Sequence, residues 1–137
     1  MTIQERYSGI QTVMGMCNKY GCHFFVLLTI IEEVTKKNVD LIEAIRISMS
    51  KGWMKSDFEV RDGIAILNYF TGKKWTRSER LTKLPAIIKP NQFTEANYYN
   101  PRTKLEHFRR RNLDTLTSSV TVKEGSIRYY YIYEYKD

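Results

Sequence analysis

An α+β fold, with helices gathered in the first half and an antiparallel sheet in the second, is predicted by three features of the sequence. Apolar residues recur at helical spacing from Cys22 onward, period-two alternation rich in tyrosine occupies the last dozen residues, and the two patterns occur in that order without interleaving.

The first helix is the strongest signal. Between Cys22 and Lys37 the apolar residues Phe25, Leu28, Ile31 and Val34 return every third position, and Leu27 and Ile30 widen the stripe into a deeply buried face. Asn38 is a plausible stop, and Asp40 can cap a second helix whose inner face is Leu41, Ile42, Ile45 and Met49 and whose end is Gly52. A third, shorter helix runs through Ile64, Leu67, Asn68 and Phe70 to the break at Thr71-Gly72.

Beyond Gly72 the character changes. Pro85 and Pro90 make the stretch from Leu84 a short extended segment, and the polar, Pro-bounded run from Asn91 to Arg102 reads as a long loop. The runs Val120 to Lys123 and Ser126 to Tyr135 flank a Glu124-Gly125 turn as a β-hairpin. Alternation puts Ile127, Tyr129, Tyr131, Tyr133 and Tyr135 on one face, with Arg128, Tyr130, Ile132 and Glu134 on the other.

Composition narrows the function classes. At 137 residues the chain, residues 1–137, is the size of one domain that can close a core without staples. No apolar run reaches the roughly 18 to 20 residues of a membrane helix, so no membrane partner is expected. The N-terminus carries no secretory pattern and two cysteines are too few for a disulfide framework, so the expected location is the cytoplasm of the host cell. No phosphate loop, dinucleotide fingerprint or metal-ligand spacing is present, and no cofactor or metal is expected. A net charge of +7 favours acidic partners; Lys73, Lys74 and Arg77, with Arg80 and Lys83 nearby, and Arg109, Arg110 and Arg111 are the candidates for contact with nucleic acid or a partner protein.

One segment carries chemistry. In Asn18-Lys19-Tyr20-Gly21-Cys22-His23 a cysteine sits in the first turn of the apolar helix, where unpaired N–H groups and the macrodipole are expected to favour thiolate and to hold an oxyanion. This placement resembles the papain-like cysteine peptidases, including the double-glycine peptidases, whose cysteine lies on such a helix with histidine and Asp or Asn on later strands. Tyr20 to Leu28, Lys51-Gly52-Trp53-Met54, Ile64 to Tyr69, His107-Phe108 and Asp114 to Gly125 are also similar to an uncharacterised group of proteins carried on spirochaete plasmids and prophages.

The resemblance implies a papain-like architecture and a phage- or plasmid-encoded hydrolase of peptide, isopeptide or amide bonds, or a descendant without activity. It makes Cys22 the nucleophile, His107 its base, Asp114 the group orienting the imidazole and Asn18 an oxyanion donor. The substrate is then a peptide or protein. The other reading is a non-enzymatic basic protein that inhibits a host defence protein or binds nucleic acid. The chain departs from the family at Glu106, where glycine is usual, at Arg109-Arg110-Arg111, where an apolar strand is usual, and at Met16, where papain-like enzymes place an oxyanion glutamine.

Overall fold

The computed structural model describes residues 2–7, 21–102, 104–110 and 126–136. These residues form helices α1 (Ile3–Arg6), α2 (Cys22–Thr35), α3 (Leu41–Ser50) and α4 (Gly63–Thr71), then strands β1 (Lys74–Arg77), β2 (Gln92–Asn100), β3 (Leu105–Arg109) and β4 (Ser126–Lys136). The α+β class with helices first is therefore observed. The strands make one antiparallel sheet in the order β1-β4-β2-β3.

Helix α2 is central because it is apolar almost all round. Phe24, Phe25, Val26, Leu27, Leu28, Ile30 and Ile31 are all buried, which only a helix packed on several sides can manage. It packs on α4 and on β3, and α4 packs on β1. Each fully buried Leu, Ile or Phe removes enough apolar surface to contribute about 1.5–3 kcal/mol before entropy is counted, so this helix dominates the core. Leu27 also touches Gly63: a Cβ there would come within 3.1 Å of a Leu27 methyl, and the absent side chain lets α4 begin against α2.

Helix ends follow local chemistry, with small corrections. Helix α2 stops at Thr35, before the expected Asn38, because Lys36 turns left-handed (φ 59°) and its N–H closes on the Glu32 carbonyl. Asp40 and Asp62 cap α3 and α4, accepting the N–H groups of Glu43 and Ala65, and Gly72 ends α4 at φ 70°. In α3 the buried face is Leu41, Ala44 and Ser48; Ile42, expected inside, is 45% exposed, because the docked stripe is phased one residue earlier. Arg6 of α1 pairs with Glu32, and Tyr7 accepts the Leu41 N–H at 2.9 Å, which ties the first residues to α2 and α3.

The larger correction is β2. The expected loop from Asn91 to Arg102 is instead a nine-residue strand flanked by β4 and β3. Its polarity misleads because Glu95, Asn97 and Asn100 are buried, with Glu95 and Asn97 bonded to side chains of other elements. Tertiary partners, not strand propensity, hold it. The predicted alternation of β4 places Tyr129, Tyr131 and Tyr133 inward against the helices with Trp75. A bulge opposite Asn97 and Tyr98 breaks it earlier: Ile127 pairs with Tyr98 and is exposed, while Arg128 donates to Asn97. The first strand and turn of the expected hairpin, 120–125, lie outside the described residues.

Candidate active site

Cys22 opens α2, and Gly21 at the cap position offers no side chain to its N–H groups. The Phe25 N–H is taken by the Gly21 carbonyl, while the N–H groups of Cys22 and His23 lie at the start of the helix beside the sulfur and favour its thiolate. A third N–H comes from the sheet: Phe108, on edge strand β3, donates to Cys22 Sγ at 3.5 Å. Peptide geometry separates a nitrogen from the preceding Cα by about 2.4 Å, so Sγ lies within roughly 6 Å of the His107 Cα. Folding therefore brings the residues Cys22 and His107 together. In this resting arrangement the sulfur is met by backbone N–H, and among the described residues no imidazole nitrogen hydrogen-bonds to it. His107 is 3% exposed and paired in register with Tyr98, on the opposite pleat from Phe108. Asn18, Asp114 and Arg111 lie outside the described residues, as does the other cysteine, Cys17.

The expected low pKa of Cys22 is not found. Burial pushes the thiol above its ordinary range; the Phe108 N–H opposes this, the Glu95 carboxylate adds to it, and the N–H groups of His23 and Cys22 again favour thiolate. Desolvation outweighs the helix terminus, because β3 packs against the first turn of α2 and leaves Cys22 half-buried. The resting nucleophile is a thiol.

A second cluster went unseen in the sequence. His23 Nδ1 lies 2.5 Å from Oε2 of Glu95, a carboxylate with no solvent exposure, and Tyr133 donates its hydroxyl to the other oxygen at 2.9 Å. The His23 ring also leans on Phe108, with centroids 5.0 Å apart. In the neutral tautomer with Nδ1–H toward Glu95, Nε2 is left to accept. The only available signal was a glutamate among tyrosines and asparagines, and its partner lies 72 positions away in sequence.

Burial, with Glu95 adjacent, also holds the Tyr133 phenol well above its ordinary value. Both raised groups keep protons that the unfolded chain releases from about pH 8.5 for a thiol and pH 10 for a phenol. The folded state then binds more protons, so stability present below that window falls as pH rises through it. Urea midpoints measured from pH 7 to 11 are expected to decline, and Tyr133→Phe to decline less steeply above about pH 10; parallel curves for the two proteins would refute this origin.

Cys22, His23 and Phe108 line an open cavity of about 610 Å³ together with Asp57, Phe58, Glu59, Val60, Arg77, Arg80, Glu106, Tyr129 and Tyr131. Of the basic candidates, Lys73, Lys74 and Arg77 belong to the β1 edge, whereas Arg109 and Arg110 lie at the β3 edge across the sheet. They do not make one patch. Arg109 reaches the Tyr98 hydroxyl at 3.5 Å. Arg110 is 1% exposed, paired with Glu33 at 3.0 Å and placed over the Phe93 ring, so its buried guanidinium is neutralised by α2.

No helix among the described residues is long and apolar enough to cross a membrane. No family model matches this chain, and neither the curated proteins nor the solved structures include a significant match to it.

Proposed function

We propose that the chain is a cysteine hydrolase of papain-like architecture, acting on a peptide, isopeptide or amide bond through a thioester at Cys22. The observation that carries this reading is the Phe108 N–H on Cys22 Sγ, because it sets the thiol, on the wall of a cavity, against the β3 backbone beside the His107 Cα. The order of elements, a cysteine helix followed by a strand bearing histidine, agrees with it.

Because Cys22 rests as a thiol, its proton has to leave as the bond forms. In this reading the His107 ring, which leaves β3 on the opposite pleat from Phe108, reaches round the strand edge to take the Sγ proton while Sγ adds to the substrate carbonyl. The N–H groups of the first turn and of Phe108 stabilise the oxygen that becomes negative. The imidazolium returns the proton to the leaving nitrogen, the C–N bond breaks, and a thioester remains. Water, deprotonated by His107, attacks the thioester; the acid is released and the thiol regains its proton.

An activated ester tests the covalent step without knowledge of the natural substrate. Mixed with p-nitrophenyl acetate, the chain is expected to release one burst of p-nitrophenolate per molecule and to carry an acetyl group on Cys22. Cys22→Ala should abolish both. Acetylation of Cys22 no faster than that of a free thiol at the same pH, or a burst that persists in Cys22→Ala, would falsify the hydrolase reading and leave the non-enzymatic binding protein in its place.

A further inference from the structure

Two guanidinium groups on the cavity wall, Arg77 and Arg80, have no counter-ion among the described residues. Arg77, the last residue of β1, lies over the Tyr131 ring at 4.3 Å, and Arg80 lies over the Tyr129 ring at 4.3 Å while donating Nε–H to the Tyr131 hydroxyl at 3.2 Å. Tyr129 and Tyr131 are buried inward residues of β4, so the platforms are part of the core. The ring contacts hold each guanidinium against the cavity wall without using its N–H donors, apart from the Arg80 Nε–H. Both arginines remain exposed.

The acids of the same cavity already have partners. Glu106 is paired with Arg128, and Asp57 and Glu59 share Lys55 at 3.8 and 3.4 Å. The unmatched charge is therefore positive and confined to the arginine wall. A fork of ordered donors beside a nucleophile matches a planar carboxylate. A phosphate dianion fits less well, since the carboxylates of Asp57, Glu59 and Glu106 line the same cavity and would repel the larger charge.

We propose that Arg77 and Arg80 form a subsite for a carboxylate of the acyl substrate, either the C-terminal carboxylate or an acidic side chain of a peptide placed next to Cys22. This rests on the hydrolase reading for the identity of the substrate, but the subsite can be observed without any turnover.

The test is a titration of the 15N-labelled full chain with N-acetylglycine, N-acetylglycinamide and inorganic phosphate, following the arginine Nε–Hε resonances. N-acetylglycine should shift Arg77 and Arg80 saturably while Arg46, on α3 and paired with Glu43, stays still; the amide should shift neither. No saturable shift, an equal shift with the amide, or saturation by phosphate but not by N-acetylglycine would each overturn the proposal. The second measurement is alkylation of Cys22 at about pH 8.5 by iodoacetate against iodoacetamide. Their rate ratio should exceed that of free cysteine by about ten-fold at low salt, and should collapse toward it in Arg77→Gln/Arg80→Gln and at high salt. A ratio unchanged by the double substitution sinks the subsite even if the p-nitrophenolate burst succeeds, and a missing burst leaves the resonance titration valid.

Discussion

Glu95→Ala is expected to lower the unfolding free energy by about 3 kcal/mol. Glu95 has no side-chain exposure and joins three elements: its own strand β2, His23 at the start of α2, and Tyr133 in β4. Removing the carboxylate leaves the Tyr133 hydroxyl without its acceptor at a buried position, for about 1–3 kcal/mol, and deletes methylenes from a packed sheet face. His23 is partly exposed and water can replace some of its lost bond, so the full penalty of a broken buried ion pair does not apply. Urea unfolding of Glu95→Ala, Tyr133→Phe and the double variant checks the argument. The double variant should be less unstable than the sum of the singles by about 1 kcal/mol or more, because the phenol that the first change strands is absent. Strictly additive costs, or a Glu95→Ala loss under about 1 kcal/mol, would show that the trio does not act as a unit.

His107→Ala is expected to slow the acylation burst by about 10²–10⁴-fold, the usual contribution of a positioned general base. The effect should be large here because burial holds Cys22 as a thiol, so little thiolate exists near neutral pH to react unaided. His23→Ala should have a smaller effect on the burst: His23 adjoins Cys22 on a helix, where neighbouring side chains diverge by about 100°, and its Nδ1 is committed to Glu95. Burst rates of the two variants, with near-UV circular dichroism to confirm packing, separate the histidines. A fast burst in His107→Ala together with a slow one in His23→Ala would transfer the role of base to the His23–Glu95 pair.

Glu95 and His107 differ in what the sequence shows of them. Chain order and a local motif single out His107, and the edge position of β3 places the Phe108 N–H that follows it on Cys22. Glu95 was illegible because a glutamate in a polar run reads as solvated unless its partners are known, and both partners are distant in sequence. The same ignorance turned β2 into an expected loop, and it hid Arg77 and Arg80 as cavity-wall groups on tyrosine platforms.

By itself the sequence determined what depends on neighbours within a few residues. The apolar period of α2, the Asp40 cap of α3, the left-handed Gly72 that ends α4 and the inward tyrosines of β4 are all local patterns repeated at the spacing of the element. Only the tertiary structure decided what depends on burial. It converted a helix-terminal cysteine from an expected thiolate into a thiol, phased α3 so that Ile42 faces out, and made a strand of β2 by giving its buried carboxylate and amide partners. The physical reason is common to these cases: periodicity is a property of one segment, whereas desolvation and hydrogen-bond satisfaction belong to a site built from several.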